Sequence, residues 1–152
     1  MFPSISGSNL ERRQFNLPGD FEGEINLVII PFQMGHQNWI DVWVPPLKGL
    51  LARYPGVPLY ETPVLSGFDP VRRWFIDGGM RAGIPDRATR AATITLYTDK
   101  RAFRQALAIP NEETIHLLLV DRQGRVHARV EGRYTADKLA ALETALQQVQ
   151  MV

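Results

Sequence analysis

The hydrophobic positions of this chain fall into short blocks whose spacing shifts between strand-like and helix-like periods. Glu24-Ile25-Asn26-Leu27-Val28-Ile29-Ile30-Pro31-Phe32 is a nearly continuous apolar run and predicts a strand buried on both faces. Pro31 has no N–H, so pairing should lapse there. Ile40, Trp43, Leu47, Leu50, Leu51 and Tyr54 then share one helical face. Pro45-Pro46 lies inside that helix and is expected to kink it, and Tyr54-Pro55-Gly56 is expected to end it. Residues 57–64 predict a second strand. Asp69-Pro70 reads as a helix start, an N-cap followed by proline at the first helical position. That helix would turn Val71, Trp74 and Phe75 inward and stop near Gly78-Gly79 or Gly83, with residues 84–92 as a loop.

Residues 93–97 alternate in the β manner. Thr98 or Asp99 should cap a short helix through Ala108, with Phe103 and Leu107 on one side. Residues 114–120 form another apolar strand, Asp121-Arg122-Gln123-Gly124 a turn, and 125–130 its hairpin partner. Thr135 caps a last helix whose apolar face holds Leu139, Leu142, Leu146 and Val149. The predicted order, after an extended N-terminal segment, is β–α–β–α–β–α–β–β–α. Helical crossovers imply parallel pairing and the closing hairpin adds antiparallel strands, so the expectation is an α/β fold with one mixed sheet flanked by helices on both faces.

Composition narrows the chemistry more than the fold. The 152 residues suit a single domain, 1–152, able to bury a core without staples. There is no cysteine, which excludes disulfides, thiolate metal sites and any cysteine nucleophile. Lys and Arg number 17 against 16 Asp and Glu, so bulk charge gives no reason to expect a nucleic-acid partner. No apolar run approaches the ~18 residues of a membrane span. The N-terminus lacks a basic stretch followed by an apolar run, which makes the cytoplasm the default expectation. No phosphate-binding glycine loop, nucleophile elbow or close histidine pair appears, so neither cofactor nor metal is expected.

Two stretches resemble a known family. Ile5-Ser6-Gly7-Ser8-Asn9-Leu10, then Phe15-Asn16-Leu17-Pro18-Gly19-Asp20-Phe21-Glu22-Gly23-Glu24, is similar to the opening of the TlpA and peroxiredoxin-like branch of the thioredoxin superfamily, where a short hairpin leads into the first core strand. Leu119-Val120-Asp121-Arg122-Gln123-Gly124-Arg125-Val126, with Glu131-Gly132 and the last helix, is similar to that branch's final hairpin and helix. The resemblance implies a thioredoxin-like fold with an N-terminal hairpin extension. Laid on the family's redox motif, Phe32 falls on its first aromatic and Pro45 on its helix proline. Gln37 and Ile40 then stand where the two cysteines would be, with Asn38-Trp39 between them. Neither can form a thiolate, so oxidoreductase and peroxidase activity does not carry over. The family's cis-proline has no counterpart in register; Pro110 lies four residues early.

A cysteine-free subgroup, the mitochondrial ATP synthase assembly factor family and its bacterial relatives, is also similar at scattered positions. These are Gln37 through Trp43, Trp74, Ile84-Pro85, Thr98 to Leu107, Asn111 and Leu119-Val120-Asp121. That resemblance implies a chaperone-like binding role rather than catalysis.

The candidate ligand- or partner-binding site is therefore the degenerate loop His36, Gln37, Asn38, Trp39 and Ile40, at the carboxyl end of a core strand and the start of a helix. His36, with Gln37 or Asn38, could instead serve an enzyme acting on a small polar ligand. The plainer alternative is a loop whose polar side chains merely cap the helix. Trp39 precedes the helical face and is expected either as a partly exposed contact anchor or as packed over the loop, and Trp43 belongs to the inward face. His116, among apolar neighbours, reads as a hydrogen-bonded sheet residue, and His127 as part of an exposed hairpin face. Arg72, Arg73 and Arg81 lead a basic stretch between residues 69 and 104 that could dock an acidic partner or a lipid surface, or could be a solvated helix face. The expected partner is an unidentified protein, with peripheral membrane association or a homodimer as further expectations.

Overall fold

The structure is a computed structural model that describes residues 1–65 and 87–150. The expected helix from Asp69, with Trp74, and the basic positions Arg72, Arg73 and Arg81 lie outside the described residues, as does Ile84-Pro85. The described strands are β1 (Ile5–Asn9), β2 (Gln14–Leu17), β3 (Ile25–Ile30), β4 (Leu59–Glu61), β5 (Val64–Leu65), β6 (Ile94–Tyr97), β7 (His116–Asp121) and β8 (Val126–Glu131). The described helices are α1 (Gln37–Leu51), α2 (Arg87–Ala91), α3 (Lys100–Ala106) and α4 (Ala136–Gln150).

The strands form two four-stranded mixed sheets, ordered β2-β1-β6-β5 and β4-β3-β7-β8. A parallel bridge between Glu61 and Thr93 joins them. β3 runs parallel to β4 and antiparallel to β7, with Ile25 opposite Asp121 and Ile30 opposite His116. Both β3 and β7 are buried along their whole length. Their alternate residues divide between two cores, as the two-residue period of a strand requires. Leu27, Ile29, Leu117 and Leu119 pack with Ile40, Trp43 and Leu47 of α1 and with Leu142 and Leu146 of α4. Val28, Ile30, Leu118 and Val120 pack with Phe103 of α3 and with Phe15 and Leu17 of the N-terminal hairpin. The helical layers on both sides and the hairpin extension match the expected architecture, but the strands divide into two mixed sheets where one was expected.

Several local expectations need correction. Residues 57–64 do not make one strand: β4 and β5 are separated at Thr62-Pro63, where the Thr62 and Val64 N–H groups still donate to the Ile29 and Pro31 carbonyls while β5 takes up parallel pairing with β6. α1 ends at Leu51 rather than at Tyr54-Pro55, and it remains one helix through Pro45 and Pro46. Residues 87–91, expected as loop, form α2; no apolar periodicity marks so short a helix in the sequence. Asp99, not Thr98, caps α3 by accepting from the Arg101 and Ala102 N–H groups. The 121–124 turn forms as expected. Asp121 Oδ1 accepts from the N–H groups of Gln123 and Arg125, and Gly124 takes φ +88° where a Cβ would stand 2.9 Å from the Phe2 carbonyl.

The one polar interruption of β3, Asn26, is fully buried and satisfied: its Nδ2 donates to the Gly23 and Val120 carbonyls and its Oδ1 accepts from the Gly23 N–H. Truncating Leu117, which is fully buried between β3 and the α1 layer, should cost about 3 kcal/mol as Leu117→Ala. Val42→Ala, at a position 58% exposed, should change stability by no more than about 0.5 kcal/mol. Urea unfolding midpoints of the two variants check this; equal losses would contradict the layer assignment.

Candidate functional site

β3 delivers the chain to Pro31-Phe32, a 3₁₀ turn over Met34–His36 follows, and α1 starts at Gln37. Gln37 and Asn38 are exposed, Trp39 is half-buried and Ile40 is fully buried. The positions laid on the redox motif therefore occupy the first turn after the central strand, one facing solvent and one facing the core. Gln37 Nε2 donates to Asp41 Oδ1 at 3.0 Å, a contact within its own helix.

His36 does something the sequence does not suggest. Its Nδ1 accepts the backbone N–H groups of Phe32 at 3.0 Å and Gln33 at 3.3 Å. That nitrogen carries no proton, so Nε2–H donates to the Glu113 carbonyl at 3.2 Å. The ring is 2% exposed. Burial pushes its pKa below 6.5; the Glu113 carbonyl opposes the shift and Lys100 adds to it. Both nitrogens are thus occupied by backbone groups, and neither Gln37 nor Asn38 reaches the ring. Through these contacts the residue ties its own loop to the segment before β7. Gln33 Nε2 reinforces that tie by donating to the Glu112 carbonyl at 2.8 Å. Lys100 Nζ, on α3, donates to the Phe32 carbonyl at 3.2 Å.

Trp39 stacks on the His36 ring with centroids 5.1 Å apart and planes 25° apart. The Arg133 guanidinium lies 5.1 Å from the centroid of the indole ring. Val42, one helical turn on, shares the Trp39 side of α1 and is exposed. Trp43, one turn further along the same side, lies deeper: it is fully buried, its Nε1 donates to the Gly132 carbonyl at 3.0 Å, and it meets Tyr134 edge-on, while Trp39 packs at the margin of the same core. The indole before the inward face is thus partly exposed and the one on it is buried. Of the described cations within the expected basic stretch, Arg90, Lys100 and Arg104 are ion-paired, to Glu11 and Glu112, while Arg101 is exposed.

His116 is buried, but neither ring nitrogen makes a hydrogen bond, which corrects the expectation of a hydrogen-bonded sheet residue. The Glu131 carboxylate stands 3.6 Å from its Nδ1. Burial pushes the His116 pKa down, against the pull of Glu131 and with help from Arg129 and His36. His127 is exposed, as expected, with Nε2 2.9 Å from Asp121 Oδ2. Burial raises the Asp121 carboxyl, but hydrogen bonds from His127 and from the Arg125 and Gln123 N–H groups outweigh it and hold the pKa below its ordinary value. This pair lines a groove of about 1180 Å³ between Gly23, Tyr54, Gln123 and Gln148, at the opposite end of β3 and β7 from the α1 start. The His36–Trp39 loop does not line it. Among the described residues no three His, Asp or Glu side chains are grouped to hold a metal ion, and no helix is long and apolar enough to cross a membrane.

Glu61 is a polar group that sequence reading missed. It shares the α1-facing side of β4 with Leu59, and that two-residue parity was the available signal. It lines a mostly apolar hollow of about 290 Å³ with Val44, Leu51 and Leu59. Burial first, and then the nearby Asp41 charge, raise its pKa to about 7.

No protein-family model matches the chain, and no curated protein matches it in sequence. Solved structures do match. The thioredoxin domain of a thiol-disulfide oxidoreductase from Bacteroides vulgatus is 18% identical, with 97% of this chain and 94% of that one covered and a TM-score of 0.61. A thiol:disulfide interchange protein from Bacteroides sp. is 19% identical over 93% of this chain and 85% of its own, TM-score 0.61. A putative thiol:disulfide interchange protein DsbE from Chlorobium tepidum is 14% identical over 97% and 93%, TM-score 0.57. The fold is thioredoxin-like, and this chain, without cysteine, cannot perform the thiol exchange those names describe.

The titrations have opposite signs. Glu61, raised from 4.5 to about 7, costs stability as pH rises through that interval, because the folded carboxyl holds a proton the unfolded one has released. His36 and His116, lowered from 6.5, cost stability as pH falls below 6.5. Glu61→Gln should therefore gain stability relative to wild type between about pH 5 and about pH 8, as read from urea midpoints. A variant-to-wild-type difference that stays constant across that range would refute the assignment.

Proposed function

We propose that this protein is a binding factor on a thioredoxin-like scaffold, which docks protein partners through the Trp39 edge of α1 without thiol chemistry. One observation carries the reading. The first turn of α1 bears Gln37 and Ile40 where the resemblance puts cysteines, yet beside them Trp39 stays half-exposed, held by His36 and flanked by Arg133 and Val42. An aromatic ring on a rigid helix, bordered by a guanidinium and an aliphatic residue, is the composition favoured at the centre of protein contacts. Engagement of both His36 nitrogens by backbone groups supports the binding reading over the enzyme alternative.

A finer reading is a chaperone-like assembly factor. It is supported by the resemblance at Gln37 through Trp43, Thr98 to Leu107, Asn111 and Leu119-Val120-Asp121, and by the absence of cysteine. A role in assembly asks for recognition without turnover, which a half-exposed indole supplies and a thiol pair does not.

Capture from the native host with wild type, Trp39→Ala and Arg133→Ala tests the docking surface. One specific protein retained by wild type should fall by about tenfold or more with Trp39→Ala, the loss expected of a central aromatic anchor. Arg133→Ala should weaken the same capture less. Identical captures with all three proteins would overturn the proposal, as would reduction of insulin by the purified wild type.

A further inference from the structure

We propose that His36 is an acid-sensitive latch on this docking surface: the neutral ring holds the 32–39 loop closed and covers one side of Trp39, and the protonated ring leaves its seat and presents the indole. The inference rests on reading Trp39 as the anchor and adds a regulation to it.

The geometry follows from donor and acceptor counting. Neutral His36 fits because Nδ1 accepts two backbone N–H groups while Nε2–H donates to the Glu113 carbonyl. Imidazolium has two donors and no acceptor. In any ring orientation, the N–H groups of Phe32 and Gln33 would then face a donor or a carbon, and both bonds would be lost. The ring is buried, so water does not replace them while it stays.

The surrounding charges do not rescue the cation. Lys100, from α3, sits on the Phe32 carbonyl, and His116, from β7, disfavours a second positive charge. Glu112 is engaged with Lys100 and Arg104, and Asp41 of α1 with Gln37. Glu113 offers its carbonyl, and Arg133 borders Trp39. Among the described residues no carboxylate lies within ion-pair distance of the His36 ring. His116 contrasts with it: its Nδ1 already has the Glu131 carboxylate 3.6 Å away, so its protonation meets a counter-charge in place. Burial, with Lys100, places the His36 titration below 6.5. The same ring stacks on Trp39, so its departure uncovers the indole.

Residue-resolved amide exchange on the isolated protein, corrected for intrinsic rates, reads the latch directly. The protection of the Phe32 and Gln33 amides should fall about tenfold or more between about pH 7.5 and about pH 5.0, together with increased acrylamide quenching of Trp39. His36→Asn keeps an acceptor near the Nδ1 position that does not titrate, so its protection should not change; His116→Asn should retain the wild-type fall. Nitrogen shifts of the wild-type ring provide a variant-free check and should show Nδ1 bare and Nε2 protonated at neutral pH. Unchanged protection in wild type, a fall that persists in His36→Asn, or a ring protonated at Nδ1 at neutral pH would each overturn the latch. No partner is present in these measurements, so their failure leaves the docking surface standing, and failure of the capture experiment leaves the latch standing.

Discussion

The antiparallel pairing of β3 with β7 is the constraint from which the rest of the structure follows. Six residue pairs, Ile25–Asp121 through Ile30–His116, lock two strands that are buried on both faces. A one-residue slip would exchange the residues of the two cores and strand Asn26 away from the Gly23 and Val120 groups that satisfy it. The register therefore has little freedom. Because β3 ends at Ile30 opposite the first residue of β7, the loop leaving β3 emerges beside the segment entering β7. That adjacency lets His36 reach Glu113 and Gln33 reach Glu112, across 77 and 79 residues of chain.

The start of α1 sets a core-facing and a solvent-facing side chain within one turn. Ile40 faces the core and is held there by the same layer that seats Trp43 and Leu47. Gln37 faces solvent and bonds only within its helix. In the thiol-disulfide proteins that share this fold, the names describe a reaction; here the corresponding turn has an amide and an aliphatic side chain, and a histidine that fastens the backbone. This side of α1 presents an indole with a guanidinium over it and an exposed valine one turn on.

Glu61 and the two buried histidines place opposing titrations within one chain. The carboxyl facing the α1 layer favours acid, and the imidazoles around the β3–β7 exit favour neutral pH. Their physical origin is shared, since each is a group removed from water beside insufficient compensating charge.

Much of this molecule was legible in the order of its residues. The unbroken apolar run of β3, the three-and-four spacing from Ile40 to Leu51, the Asp121–Gly124 turn and the Thr135 start of α4 are local patterns, and local backbone and side-chain preferences suffice to read them. The absence of cysteine settled the thiol question outright. The split of residues 57–64 at Thr62-Pro63 was not legible, because it depends on which strand each half finds. Nor was the role of His36: in sequence it is a titratable side chain at a helix start, and only the fold brings the Phe32, Gln33 and Glu113 backbone groups around both nitrogens. Sequence alone determined the longer elements, the two-sided burial of β3 and the absence of thiol chemistry, since these depend on periodicity and residue type. Tertiary structure decided which polar groups meet, because hydrogen-bond partners far apart along the chain are chosen by strand register and not by neighbours in sequence.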